Sequence, residues 1–235
     1  MSVAALVLAA GRGERFGQRV PKAFVALAGR PLLLHALAGI AAAPVIARVV
    51  PVIARADLAR WEGLRPELAA IPKLAAPAFG GAERQDSVRA GLEALPGGVE
   101  WVAVHDAARP FVRPDAVARV VAAARASGAA ILAAPVADTI KRVRSGRVVE
   151  TPPRSECWAA QTPQVFRVEL LREALAKASA LGRVATDDSQ LVEWLGVPVA
   201  VVEGDADNWK LTRPEDVPEA ERRLLAACAA GDGQP

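Results

Sequence analysis

Between Leu8 and Gly17 the chain reads Leu-Ala-Ala-Gly-Arg-Gly-Glu-Arg-Phe-Gly, and Pro21-Lys22 follow. The small residues Ala9, Ala10, Gly11 and Gly13 let backbone N–H groups approach an anion closely, and successive N–H groups can cradle phosphate. Arg15 and Lys22 add cationic donors, one a planar fork for phosphate oxygens, the other a mobile point charge. Asp106, in His105-Asp106-Ala107-Ala108-Arg109-Pro110, offers a carboxylate for Mg²⁺, a hard ion that prefers oxygen donors. The same Asp could instead cap the turn before Arg109-Pro110. Asp207 is a second candidate for the ion. A further loop, Gly80-Gly81-Ala82-Glu83-Arg84-Gln85-Asp86-Ser87, opens a helix; Gly81 and Glu83 there also suit helix capping. Two familiar glycine loops fail on spacing. The first loop runs GxGxxxG toward Pro21 rather than GxGxxG into a helix, and no GxxxxGK precedes a Ser or Thr.

Those residues need elements to hold them. Val3 to Leu8 is a short apolar run that stops at the glycine loop, as a buried strand does. Pro31 opens an apolar helix to about Ala42, because proline suits the first helical turn. Arg48 to Ile53 reads as a strand that Pro51 demotes toward an edge or bulge. A helix over 57–68, a short strand near 74–79, an amphipathic helix over 83–95 and a strand ending at His105-Asp106 follow. Further along come a helix over 115–126, a strand over 129–134, helices over 168–181 and 189–195, a strand over 197–202 and a terminal helix over 214–230. Residues 139–144 and 147–150 flank Ser145-Gly146 and predict a basic β-hairpin. The alternation predicts an α/β fold: a Rossmann-like, mostly parallel twisted sheet flanked by helices, with an inserted β-hairpin arm over 136–160, all in one domain, 1–235.

Composition bounds the partners. The 235 residues are 52% hydrophobic and 23% charged, and the formal net charge is +3, with no polybasic block. That excludes a disordered chain and gives no nucleic-acid footprint. Val3 to Ala10 lacks a basic lead and meets Arg12 to Arg15 at once, so it does not read as a signal core; the uncharged run 31–47 is short for a span and holds Gly39 and Pro44. No membrane association is expected. The cysteines, Cys157 and Cys228, form neither a CxxC pair nor a disulfide framework and suit a reducing cytoplasm. His105 and His35 read as hydrogen-bonding or packed residues.

The segment LAAGxGxR…PK resembles the opening of nucleotidyltransferases that join a nucleoside triphosphate to a phosphorylated sugar or alcohol. His105 to Pro110, Gln161-Thr162-Pro163-Gln164 and Lys210-Leu211-Thr212-Arg213-Pro214 narrow the resemblance, over nearly the whole chain, to the 2-C-methyl-D-erythritol 4-phosphate cytidylyltransferases of non-mevalonate isoprenoid synthesis. The resemblance implies CTP and a polyol phosphate as substrates, with Mg²⁺. It implies that Arg15 and Lys22 stabilise the pentacoordinate transition state and that Arg154 and Lys210 hold the acceptor phosphate. Ala9, Ala10, Gly11, Gly13, Gly81, Ala82, Ser87 and Asp106 would bind the nucleotide, Asp106 also the metal, while Arg109, Thr139, Thr162, Thr186 and Thr212 would contact the acceptor.

The family pairs as homodimers through the hairpin, so Thr139 and Arg109 would act across the interface; on sequence alone the basic arm could equally be a solvated hairpin. Leu8 stands where the family often has proline, and Ala82 where some relatives carry an acid, which puts side-chain contacts from that position in doubt. Some relatives carry a fused cyclodiphosphate synthase domain, and none is expected after the terminal helix read here. Ribitol 5-phosphate cytidylyltransferase shares the chemistry, and a non-catalytic nucleotide-binding module shares the scaffold. Ala107-Ala108 and the context of Arg154 favour the erythritol acceptor by resemblance, and the full set Arg15, Lys22, Asp106, Arg154 and Lys210 disfavours the module. A nicotinamide oxidoreductase is disfavoured by the failed glycine spacing.

Overall fold

The computed structural model describes residues 2–11 and 20–229. Eleven strands are present among them: β1 Ser2–Leu8, β2 Ala26–Leu27, β3 Arg30–Pro31, β4 Arg48–Ile53, β5 Ala78–Phe79, β6 Val99–Asp106, β7 Ala129–Pro135, β8 Arg142–Arg144, β9 Arg147–Glu150, β10 Trp158–Arg167 and β11 Ala200–Glu203. The α-helices are α1 Leu32–Ala42, α2 Leu58–Gly63, α3 Arg65–Ala69, α4 Arg84–Glu93, α5 Pro114–Ser127, α6 Val168–Ala180, α7 Asp188–Glu193 and α8 Asp216–Ala229. Seven strands form one sheet in the order β11-β7-β10-β6-β1-β4-β5. β1 pairs in parallel with β4 and with β6, whereas β10 runs antiparallel to both β6 and β7.

Alternation along the strands builds the two layers. Val3, Ala5 and Val7 of β1 face a core shared with Leu33, Leu37 and Ile40 of α1 and Val117 and Val120 of α5. Leu6, with Val102 and Val104 of β6, faces the opposite core, filled by Val88 and Leu92 of α4 and Leu171 and Leu175 of α6. Helices thus cover both faces, as the strand–helix rhythm predicted. α5 ends at Gly128, whose φ of +91° suits a residue without Cβ.

Five sequence expectations change. The predicted helix over 57–68 is two short helices, α2 and α3, separated at Leu64. The helix expected over 189–195 starts one residue earlier and stops at Glu193, and the strand expected over 197–202 is β11, shifted to 200–203. Pro51 does not put β4 at the edge, since β5 lies outside it. Val52 presents its carbonyl to Ala9 on the β1 side, while Val49 and Ile53 bond Lys73, Ala75 and Gly80 on the outer side. By alternation Pro51 faces outward between those bonds, so its missing N–H costs no bond to β1. Finally, β10 was not foreseen as a strand. Its middle holds Gln161, Thr162, Pro163 and Gln164, and its pairing with β7 is irregular between Ala160 and Gln164.

The hairpin is present as expected. Val143 pairs with Val148 and Arg144 with Arg147 around Ser145 (φ +48°) and Gly146 (φ +75°). Positive φ at both central residues matches the right-handed twist of the strands. All seven hairpin strand residues are exposed. Trp158 to Ala160, the last residues of the expected arm, belong to β10.

Candidate active site

In the sheet, β1, β4 and β5 step one way from the centre and β6 lies on the other side of β1. Open α/β sheets bind ligands where the strand order reverses, outside the carboxyl ends. A cleft of about 490 Å³ opens at that point. Residues after β1 (Ala9, Ala10, Gly11), the end of β6 (Asp106 to Ala108), the loop into α4 (Gly81 to Arg84, with Ser87), Lys22 and Lys210 with Thr212 line it.

The first wall forms because β1 runs straight to its end: Ala9 N–H donates to Val52, and Ala107 N–H to Leu8. The second wall closes on the first through Gly80, where a Cβ would collide with the Ala10 methyl and Ser87. A capping box starts α4: the Glu83 carboxylate accepts from the Asp86 N–H, and Asp86 accepts from the Glu83 N–H at 3.1 Å. The third wall is a strap over 204–212, tied down from below. Asn208 donates to the Thr162 carbonyl at 2.8 Å, Leu211 N–H to Ala108 at 2.9 Å and Arg109 to the Asn208 carbonyl at 2.6 Å. Asp216, at the start of α8, accepts from the N–H groups of Thr212 and Arg213 at 2.6 and 2.8 Å.

Asp106 is the electrostatic centre. Arg84 pairs with its Oδ1, and Lys210 Nζ lies 2.7 Å from its Oδ2. Burial works against its charge, but Arg84 and Lys210 outweigh burial and hold the carboxyl well below the usual carboxylate range. Arg84 also reaches Asp188 Oδ2 at 2.7 Å. Burial pushes the Asp188 carboxyl up, and the Arg84 charge offsets this only in part. Lys22 Nζ donates to the Leu211 carbonyl at 2.8 Å, on the strap that carries Lys210.

Of the sequence-predicted residues, Lys22, Lys210, Ala9, Ala10, Gly11, Gly81, Ala82, Ser87, Asp106 and Thr212 line one cleft. Gly13 and Arg15 lie outside the described residues. Arg109 and Thr162 are near the cleft in sequence terms but turned inward. The Arg109 guanidinium is buried against the carbonyls of Asn208 and Ala160 of its own chain. The Thr162 hydroxyl accepts from the Asp106 N–H at 3.0 Å and meets His105 Nδ1 at 3.0 Å. His105 Nε2 bonds the Arg109 carbonyl, and burial pushes the imidazole down to about 4, so it is a neutral structural residue, as expected. His35 Nε2 bonds the Leu27 carbonyl, likewise structural.

Three expected acceptor residues stand apart from the cleft. Thr139 is exposed beside the hairpin, Arg154 is exposed and donates to the Ala137 carbonyl, and Thr186 bonds Gln190 before α7. Asp207 pairs with Arg223 of α8 and does not line the cleft. Sequence reasoning gave no role to Arg84 or Asp188. Arg84 stood in the quoted loop, but its partners lie 22 and 104 positions away, a distance that local spacing does not bridge.

The family model for IspD, 2-C-methyl-D-erythritol 4-phosphate cytidylyltransferase, matches residues 3–225. A 2-C-methyl-D-erythritol 4-phosphate cytidylyltransferase from Geobacillus kaustophilus is 45% identical over 229 residues, 97% of this chain and 100% of that protein. A bifunctional enzyme IspD/IspF from a Bradyrhizobium species is 47% identical over 231 residues; these are 95% of this chain, and the match spans 57% of the longer protein. Among solved structures, a 2-C-methyl-D-erythritol 4-phosphate cytidylyltransferase from Thermus thermophilus is 39% identical with a TM-score of 0.76, covering 96% of this chain and all of that one. A 4-diphosphocytidyl-2C-methyl-D-erythritol synthase from Anaerococcus prevotii superposes with a TM-score of 0.84 at 29% identity, covering 95% and 96% of the two chains.

Proposed function

The chain belongs to the 2-C-methyl-D-erythritol 4-phosphate cytidylyltransferase family, and from that premise we propose that it transfers a cytidylyl group from CTP to 2-C-methyl-D-erythritol 4-phosphate. The observation that carries the reading is the convergence of Lys22, Lys210 and two small-residue loops on one cleft at the sheet's reversal point. A phosphate oxygen of the acceptor attacks the α-phosphorus. A bond forms to that oxygen, the bond to the β-phosphate oxygen breaks, and pyrophosphate leaves with the electron pair. The acceptor oxygen is already ionised, so no general base is required. This accords with the neutral, fully engaged His105. Positioning and cation placement then carry the catalysis.

Lys22 takes the developing charge at the α-phosphorus, a role that the family resemblance gives to Arg15 as well, and Lys210 draws in the acceptor phosphate. Gly81, Ala82 and Ser87 meet the cytosine edge. Asp106 suits Mg²⁺, which is commonly held by one or two carboxylates together with substrate phosphates. Among the described residues no cluster of three or more acidic, His or Cys side chains stands ready for a metal. When bound, that ion neutralises phosphate charge.

The working form is a homodimer joined through the hairpin. Val143, Val148 and Val149 lie exposed there, and Thr139, Arg154 and Thr186 lack a place in the cleft of a single chain. A second copy completes the acceptor contacts. No helix among the described residues is long and apolar enough to cross a membrane; the reading includes a cytoplasmic location, where CTP is available. Pyrophosphate release tests the proposal. Turnover is expected with CTP and the erythritol phosphate and not with ribitol 5-phosphate, and tight CTP binding without turnover on either acceptor overturns it.

A further inference from the structure

Four charges meet at the back of the cleft. Asp188 is 1% exposed, Asp106 10%, Arg84 26% and Lys210 40%, taken over their side chains. The set is formally neutral: two carboxylates and two cations. Asp106 holds one cation on each oxygen, and among the described residues the Asp188 carboxylate is held by the far arm of Arg84. A phosphate entering the cleft needs a cation, and Lys210 is the more exposed of the two. Were Lys210 the only partner of Asp106, its departure would strand a buried carboxylate, which is strongly unfavourable. Arg84 removes that obstacle. Its planar fork binds two carboxylates at once through separate nitrogens held in a fixed geometry, which a freely rotating ammonium does not impose. It sits at the first turn of α4, on the helix that carries Ser87. Behind it Asp188 is itself fixed, because Gln164 Oε1 accepts from the N–H groups of Asp188 and Ser189 at 3.0 Å.

We propose that Arg84 is a positioning residue: anchored from behind by Asp188, it keeps Asp106 paired and aimed while Lys210 leaves Asp106 for an incoming phosphate. The inference rests on the proposed nucleotidyl transfer for its purpose, but its geometry requires only that a polyanion enters. Arg84 acts through Lys210, so removing Arg84 matters only while Lys210 is present.

Calorimetric titration with tripolyphosphate tests this on four chains: wild type, Arg84→Gln, Lys210→Gln and the double variant. Arg84→Gln is expected to weaken binding about tenfold or more in the wild-type background and less than twofold in the Lys210→Gln background. Equal losses in both backgrounds, as a merely structural role would give, overturn the inference, and so does absence of binding by the wild type. Should Arg84→Gln not fold, the same cycle is run with Arg84→Lys, which keeps one charge but not the fork, and the same criterion applies at a smaller expected loss, about threefold. Turnover of CTP by the wild-type chain is measured in parallel. A chain that shows the expected cycle but no turnover loses the proposed function and keeps the role of Arg84; a chain that turns over but shows additive losses does the reverse.

Discussion

Lys22 lines the cleft from the short turn that follows Pro21. Its ammonium donates to the Leu211 carbonyl at 2.8 Å, and charge-assisted bonds to phosphate oxygens are stronger than bonds to neutral acceptors. Lys22→Ala is expected to lower kcat a hundredfold or more, roughly 3 kcal/mol of transition-state stabilisation. Steady-state pyrophosphate release measures it, and near-normal turnover would remove Lys22 from the mechanism. At this scale the sequence was informative about residue type and poor about direction. Asp106, Lys22 and Ser87 line the cleft. Arg109 and Thr162 point inward, because buried carbonyls of Asn208 and Ala160 and the N–H of Asp106 needed partners that no local signal announces.

Among the elements, the strap over 204–212 and the hairpin carry the testable expectations about function. The strap is irregular backbone that carries Lys210 and Thr212, and Asp216 of α8 fastens its end with two N–H bonds. Asp216→Ala is expected to cost about 1 kcal/mol of stability and to lower kcat severalfold by loosening Lys210. Thermal unfolding and turnover on the same sample check both parts, and unchanged kcat in a destabilised variant would uncouple the strap from catalysis. The hairpin bears three exposed valines on seven residues. Isolated two-stranded hairpins are marginal in water, so these side chains call for a partner surface. Val148→Asp is expected to shift the chain toward monomer in sedimentation velocity and to lower turnover with it; an unchanged sedimentation profile would leave the arm outside any self-association. The parallel strands and both flanking helix layers were legible from apolar runs and their stops. β10 was not, since its polar centre and Pro163 contradict the signature of a central strand. The sheet tolerates them because Gln161 bonds the Asp205 carbonyl and Gln164 bonds Asp187, Asp188 and Ser189, so the polar side chains serve the neighbouring strap and helix.

For the molecule as a whole, His105 links folding to pH. Burial lowers its pKa from 6.5 to about 4 in the folded chain. Between those values the unfolded chain binds the extra proton and the folded chain does not, so stability rises with pH across that window. The contribution is fully present above about 6.5 and is lost as pH falls toward 4, up to about 3 kcal/mol. Denaturant unfolding at pH 7 and pH 4.5 measures it, and equal stabilities after correction with a His105→Asn variant would contradict the assignment.

Apolar periodicity, turn chemistry and the placement of small residues after a strand are properties of neighbouring residues, so the chain's own order determined the α/β layering, the hairpin and the small-residue wall that follows β1. The ion-pair chain from Lys210 through Asp106 and Arg84 to Asp188 joins residues as far as 104 positions apart. Only the closing of the sheet around β6 and β10 could bring those charges within hydrogen-bond reach, because their pairing depends on distance in space, which no pattern along the chain encodes.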